Sequence, residues 1–552
     1  MRKILILGIL IATFSSCSDF IEEENLSNVS AESFYVTPEG FNSLVNANYA
    51  QLRNIYGDSP FMFIGGTDLY SKGRGRGIVG LTEYTELNST TNGVDDLYRE
   101  AYEAIQLANR AIYYSEITEQ TDEVPARIGE VKFIRALSYF LLVQSYGGVA
   151  ITDYIDTPVL EFDRNSAEEV YTQIITDLNE AVATLGNGAY DGRVNKRAAK
   201  NLLAKVHLTR AYETFGTASD FATAATLADE VIAGQTLNLT HEEVFTPEND
   251  LNEEVIFSVQ FDAGSISADN NGLGSRQYAY FGSYLGGTEV EGQAPARDYS
   301  ACPTNFALGL FTQDDTRWES TFMTEIFYWS DATYPGGPSY FTYYRVPKED
   351  HGDLAVNEFY EPQWFTPADK ANYLATKNLA SGFEYHNWGE YSSEWTDTVS
   401  LDYEVICVRK FDDPDPSTAF GGRSSTRDII LGRLAETYLV AAEAYLQSNP
   451  TTGLARLNEV RRRAGVTPAT LGEFDIDYIL DERARELFGE YHRWFDLKRT
   501  GKLVERASMY NAEIEESNFT GAGGNLKILR PIPQSALDLN QNRDFPQNPA
   551  YN

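Results

Sequence analysis

Thr37-Pro38-Glu39-Gly40-Phe41-Asn42-Ser43-Leu44-Val45-Asn46-Ala47-Asn48-Tyr49-Ala50-Gln51-Leu52 opens the folded part of this 552-residue chain and points to its class. Threonine at the cap and proline at the first helical position mark a helix start. Phe41, Leu44, Val45, Asn48, Tyr49 and Leu52 then recur at the spacing of one helical face. The pattern repeats downstream. From about Asp95, Tyr98, Ala101, Tyr102, Ile105, Ala108 and Ile112 share a face, and further starts fall near Pro125, Ser166, Val194 and Asp220. Ser166 with Glu169 is a capping-box signature. Starts near 95, 125, 166 and 194 are roughly 30, 40 and 30 residues apart, close to the period of tetratricopeptide helix pairs, although no unit carries that repeat's full signature. Residues 37–260 are therefore expected to stack as a tetratricopeptide-like scaffold. Helical patterning returns within 428–552, with Leu434, Tyr438, Leu439 and Ala442 on one face and a long acid–base helix from about Asp475. The expected fold class is mainly α.

The segment between, 261–427, has a different chemistry. From Tyr278 to Phe411, 29 of 134 residues are aromatic, against 13% for the whole chain, and five of the six tryptophans lie there: Trp318, Trp329, Trp364, Trp388 and Trp395. Pro335-Gly336-Gly337-Pro338 and Asp412-Asp413-Pro414-Asp415-Pro416 interrupt it. Such a stretch reads as irregular loops with short strands. A segment needing only a core would use more Leu, Ile and Val. Tyr and Trp prevail where one end of the side chain must be wet or meet a ligand.

At the other extreme, Arg2 and Lys3 precede an apolar run from Ile4 to Phe14 that stops at Ser15-Ser16-Cys17. The run is signal-peptide length, well short of the roughly twenty residues a spanning helix needs. Residues 1–16 are read as a signal peptide, Cys17 as the acylated first residue of the mature chain, and 17–36 as an acidic tether. A net charge of −37 repels phosphate backbones and argues against nucleic acid as a partner. With Cys17 acylated, only Cys302 and Cys407 remain, enough for one bridge. Cys407, inside Tyr403-Glu404-Val405-Ile406-Cys407-Val408, reads better as a buried thiol.

Several motifs together resemble the SusD/RagB family of outer-membrane lipoproteins. They are Phe133-Ile134-Arg135-Ala136 running on through Tyr139-Phe140-Leu141-Leu142-Val143 to Tyr146-Gly147-Gly148-Val149, and Arg164-Asn165-Ser166 with Glu169-Val170-Tyr171, Ile174 and Asp177-Leu178. Gly192-Arg193 with Lys196 and Ala198-Ala199 adds to them. Toward the C-terminus come Arg433-Leu434-Ala435-Glu436, Leu457-Asn458, Val460-Arg461, Arg463-Ala464-Gly465, Glu482-Arg483, Glu486-Leu487 and Arg493-Trp494-Phe495-Asp496-Leu497. Pro531-Ile532-Pro533 and Gln547-Asn548-Pro549-Ala550-Tyr551 close the set. Ala150 stands where the family usually has proline and Ala550 where it usually has glycine; both are structural positions.

The resemblance implies a surface lipoprotein that binds an oligosaccharide without covalent chemistry and delivers it to a SusC-like TonB-dependent transporter barrel. The anchor would hold it on the outer membrane. A peptide-binding lid and a non-binding scaffold of the uptake complex are the alternatives. The family commonly builds its site from the loop after the first helix and the irregular insert. Here that selects Asp68, Tyr70, Arg74, Arg76 and Tyr84 in the loop, and Trp318, Trp329 and Trp364 in the insert, as ligand-binding candidates. Asp68 resembles a recurrent family aspartate with a structural role as its alternative, and Trp494 is read as packing. Flat aromatic rings cover the C–H face of a sugar at small entropic cost. Asp, Asn, Gln and Arg then fix its hydroxyls.

No enzymatic pattern competes. His207, His241, His351, His386 and His492 are scattered without paired ligand spacing, and no Gly-x-Ser-x-Gly occurs. No cofactor is expected. Asp412, Asp413 and Asp415 offer carboxylates for a structural calcium, but intervening prolines favour a plain acidic turn.

Overall fold

The computed structural model describes residues 31–73, 77–154, 159–262, 264, 274–282, 300–330, 336–339, 342–391, 406–414 and 425–552. Cys17, Arg74, Arg76, Trp395 and Asp415 lie outside these residues.

Six long helices among the described residues build the first part: α1 (Pro38–Tyr56), α2 (Val94–Ser115), α3 (Val124–Tyr146), α4 (Ala167–Thr184), α5 (Lys196–Ala211) and α6 (Ala218–Ile232). Their starts follow the local chemistry. Thr37 Oγ1 accepts the Gly40 N–H, and the Ser166–Glu169 box closes in both directions. Each helix packs on the next in sequence, so the stack is continuous. Helix α3 is central, buried at almost every position from Gly129 to Tyr146. Its Arg135 clasps Asp177 of α4 through Nε and Nη2 at 2.8 and 2.7 Å. The helix ends at Gly147, whose φ of 77° favours glycine. There Arg164 gathers the carbonyls of Tyr146 and Gly148 and the side chain of Asn548, tying α3 to the C-terminal segment.

Among the described residues the strands are short and form four small sheets: β1 (Tyr70–Lys72) with β3 (Ala301–Pro303), β2 (Val255–Val259) with β10 (Ile429–Arg433), β4 (Phe322–Met323) with β9 (Cys407–Val408), and a four-stranded sheet ordered β6 (Gly337–Ser339), β5 (Glu325–Trp329), β7 (Val356–Tyr360), β8 (Leu379–His386). The β2–β10 ribbon is antiparallel, pairing Val259 with Ile429. The chain thus leaves the scaffold and returns to it at adjacent points. Helix α7 (Leu434–Tyr445) then packs against α6 and against α8 (Pro450–Arg463), extending the same stack.

Two expectations need correction. The long helix from Asp475 is broken: α9 (Ile476–Glu486) stops, and α10 (Arg493–Arg499) begins after a turn with Gly489 and Tyr491 at φ of 79° and 64°. A Cβ at Gly489 would come within 2.3 Å of the Phe411 ring. The turn lets that ring close over the backbone, and Lys410 Nζ takes the exposed carbonyls of Glu486 and Phe488 at 3.2 and 3.0 Å. The middle segment also contains a ten-residue helix, Pro367–Thr376, started by a Thr366–Asp369 capping box. It packs Tyr373 on Phe359, beside a small core of Phe327 and Val356. Cys302 and Cys407 are buried on β3 and β9 and are not bridged to each other.

A buried ionic network joins the parts. Glu486 accepts from Arg433 at 2.6 Å, from Arg317 at 3.1 Å and from Arg463. Glu482 takes Arg317 at 2.8 Å and Arg461 at 2.7 Å, and Glu490 takes Lys410 at 2.6 Å. Glu254, just before β2, takes Arg433 at 2.8 Å. Arg317 and Lys410 come from the middle segment, so these charges hold it on the helices. Their opposite charges keep Glu482 and Glu490 at pKa values of about 2 in spite of burial.

Candidate functional site

The loop between α1 and α2 carries Asp68, Tyr70 and Tyr84, and the structure places all three in the interior. Arg493 of α10 holds Asp68 through Nε and Nη2 at 2.8 and 2.6 Å, and Arg506 adds a third bond at 3.0 Å. Burial pushes the Asp68 carboxyl up, but Arg493 and Arg506 outweigh it and hold it below the usual range. Tyr70 Oη accepts the Gly489 N–H at 2.6 Å. Tyr84 Oη donates to the Gly66 carbonyl at 3.0 Å and accepts from Trp494 Nε1 at 3.1 Å. Trp494 is fully buried, with the Arg530 guanidinium 4.4 Å from its ring centroid. The loop is thereby pinned to the C-terminal helices, and Asp68, Tyr70 and Tyr84 face protein.

The tryptophans divide. Trp318 is 3% exposed and donates its indole N–H to Thr324 at 3.0 Å. Trp364 meets it edge-on, with centroids 5.0 Å apart, and is half-buried. Trp329 lies elsewhere. Because β5 runs antiparallel to β7, pairing Glu325 with Phe359, Trp329 sits toward the start of β7, whereas Trp364 follows its end. The Arg345 guanidinium is 5.8 Å from the Trp329 ring centroid.

Parallel pairing of β7 with β8, Tyr360 opposite His386, sends the two following segments out side by side. One carries Trp364, the other Trp388. Both indoles rest half-buried on the main core. Trp388 packs edge-on against Tyr391 at 6.3 Å. It also flanks Gly309, where a Cβ would meet Gln363 Oε1 at 2.9 Å and the Trp388 ring at 3.8 Å. Polar groups border the rings. Glu361 accepts from Tyr385 Oη and lies 3.9 Å from Lys370 Nζ, which itself sits 3.9 Å from the Tyr385 ring centroid and donates to Asn387. Burial and the Glu361 bond raise the Tyr385 phenol, keeping it neutral. The two adjacent segments thus carry two partly exposed indoles together with a carboxylate, an ammonium and two amides, side-chain chemistry suited to a flat, hydroxylated ligand.

Trp364 belongs to the sequence-based candidates; Trp388, Glu361, Gln363, Lys370 and Asn387 do not. Their convergence depends on β7 and β8 being parallel neighbours, which no local motif announces. Among the described residues no cluster of three or more His, Cys, Asp or Glu side chains is arranged to hold a metal ion. No described helix is long and apolar enough to cross a membrane.

Fold and side chains together define a tetratricopeptide-like helical scaffold that carries an aromatic-rich insert. The SusD family profile matches residues 253–551, and this chain belongs to that family. A second profile, described as starch-binding associating with outer membrane, matches residues 79–208. Among curated proteins, SusD-like protein P2 of Formosa agariphila is 26% identical, with 98% of each chain covered. Two solved structures share the fold. A laminarin binding SusD-like protein has a TM-score of 0.66 at 22% identity, covering 93% of this chain and 100% of its own. Surface glycan-binding protein A from Bacteroides thetaiotaomicron, in complex with laminarihexaose, has a TM-score of 0.66 at 18% identity, covering 93% and 99%.

Proposed function

We propose that this chain is a non-catalytic, cofactor-free glycan-binding lipoprotein of the outer membrane, anchored through Cys17, that captures an oligosaccharide and delivers it to a SusC-like TonB-dependent transporter. The observation that carries the reading is the partly exposed Trp364 and Trp388 on adjacent segments with their polar side chains, borne on a SusD-family scaffold. Relatives described as laminarin binding, or seen with laminarihexaose, support an oligosaccharide as the ligand class. Stacking on half-buried rings with exchange of hydration gives an affinity of roughly millimolar to micromolar. Tethering beside a transporter raises the effective concentration enough to make such weak binding productive.

Calorimetry against a panel of polysaccharides and peptides tests this. One glycan is expected to give saturable heat, and Trp364→Ala or Trp388→Ala to weaken it about tenfold each, as loss of a buried aromatic contact does. Heat with peptides alone would refute the sugar reading. Release of reducing ends by the pure protein would refute the non-catalytic one. Co-purification with a transporter barrel tests the delivery step.

A further inference from the structure

The end of the scaffold where the chain enters carries an exposed aromatic patch. A single helical turn, Ala31–Phe34, leads into α1, and the residues after it are pinned to the end of α2. Glu119 gives its N–H to the Val36 carbonyl at 2.9 Å, and Thr118 Oγ1 donates to the Thr37 carbonyl at 3.4 Å. Beneath lies a small core of its own. Phe41, Leu44 and Val45 of α1 meet Ala108, Ala111 and Tyr114 of α2 there, and Tyr35 and Val36 pack onto it. A row of rings runs outward in continuous contact. Centroids lie 5.7 Å apart from Phe34 to Tyr35, 5.1 Å from Tyr35 to Tyr114, 5.3 Å from Tyr114 to Tyr113 and 4.4 Å from Tyr113 to Tyr154.

The inner rings serve the core, and the outer ones do not. Tyr114 is buried, whereas Phe34 is 37% exposed, Tyr113 40% and Ile117, four residues further on, 51%. Isolated exposed apolar side chains are ordinary, but a contiguous set marks an interaction surface. Composition narrows the partner. Tyrosine presents an apolar ring with a polar tip, which suits the boundary between lipid headgroups and acyl chains. Exposed Glu116, Glu119 and Asp153 adjoin these residues in the chain, so the fitting lipid surface is zwitterionic rather than anionic. Position narrows it further. Residues 17–30 separate Cys17 from this entry point, and fourteen residues span at most about 50 Å. An acyl anchor at Cys17 therefore keeps this end of the scaffold near the bilayer, at an effective concentration on the order of millimolar.

We propose that the patch of Phe34, Tyr113, Ile117 and Tyr154 rests on the lipid surface of the membrane, so that the tethered chain is oriented as well as held. The inference rests on the anchoring at Cys17 in the proposed function and goes beyond it, since it assigns a second, non-covalent contact with lipid. A contact too weak to bind lipid from solution is enough once the anchor is in place, and it fixes which face of the scaffold looks away from the bilayer.

The experiment couples the chain through the Cys17 thiol to a maleimide-bearing lipid in phosphatidylcholine vesicles, which supplies the anchor whatever the cell attaches there. Cys302 and Cys407 are buried, so the coupling is selective. Hydroxyl-radical footprinting then compares this chain with the same chain capped at Cys17 and free in solution. Oxidation of Phe34, Tyr113 and Ile117 should fall at least about threefold on the vesicles, because side chains that enter the headgroup layer leave water. Leu471, exposed beyond α8 at the other end of the helix stack, should react equally in both states. Tyr113→Ser combined with Ile117→Ser removes much of the apolar area and should return Phe34 to within about twofold of its free rate. Unchanged oxidation of the three residues, a fall matched at Leu471, or full protection of Phe34 in the double variant overturns the proposal. The unsubstituted chain decides if the double variant fails to fold. Mass analysis of the cell-made peptide that contains Cys17 reports acylation separately, so failure of the anchor and failure of the patch are told apart.

Discussion

Replacing Asp68 by asparagine separates a structural brace from a ligand contact. Asp68 is fully buried and takes three charge-assisted bonds, two from Arg493 and one from Arg506. The Asp68→Asn change would keep the shape, turn one acceptor into a donor facing a guanidinium, and remove the buried negative charge. Breaking a buried pair in this way costs about 3–5 kcal/mol. Arg506 still has Asp477 at 3.1 Å and also Asp481, and Arg493 still donates to the Leu480 carbonyl at 2.6 Å. The lower end, about 3 kcal/mol, is therefore expected. Melting followed by circular dichroism should show a drop of roughly 5 °C or more, given about 2–4 °C per kcal/mol for domains of 150–250 residues. Acidification should imitate the substitution. The folded pKa lies below the unfolded value, so the contribution is complete above the unfolded value and is lost as pH falls through the folded one. Glycan affinity measured well below the melting point should be unchanged. A protein with an unaltered melting temperature and weakened glycan binding would refute the reasoning and return Asp68 to the ligand site.

Two further substitutions probe the interior. Glu486→Gln leaves Arg317, Arg433 and Arg463 short of their shared counter-charge and should destabilise the fold by about 3–5 kcal/mol in urea unfolding. Asp428 joins the two ends of the middle segment, accepting from Ser258 Oγ at 2.9 Å and the Phe261 N–H at 3.1 Å. Burial, with Asp250 adding to it, pushes its pKa up to about 7. The folded state then holds a proton that the unfolded state releases, so its contribution falls as pH rises from about 4 to about 7. Asp428→Asn should flatten that part of a melting-temperature-against-pH curve; an unchanged slope would contradict the assignment.

What the sequence shows plainly is whatever depends on near neighbours. Thr37-Pro38 and Ser166–Glu169 are readable as helix starts because each cap's partner lies three residues away. The Pro367–Thr376 helix carries a similar signal in Thr366, Pro367 and Asp369, but it buries only Tyr373 and leaves almost no periodic face to notice. The break after Glu486 has one local mark in Gly489, but its geometry answers to Phe411 and Lys410, far along the chain. Asp68 and Tyr84 look alike in sequence whether they face a sugar or Arg493 and Trp494, because polarity records a need for a partner and not which partner meets it.

By itself, then, the amino-acid sequence determined a mainly helical, repeat-like scaffold interrupted by an aromatic insert, because periodicity, caps and composition act over a few residues. The tertiary structure decided which aromatic rings stay half-exposed. It did so through the parallel pairing of β7 with β8, which carries Trp364 and Trp388 out side by side while β5 sends Trp329 the other way. It also decided which charges meet a partner. Asp68 finds Arg493 and Arg506, which lie more than four hundred positions further along the chain, and only the packing of distant segments brings them together.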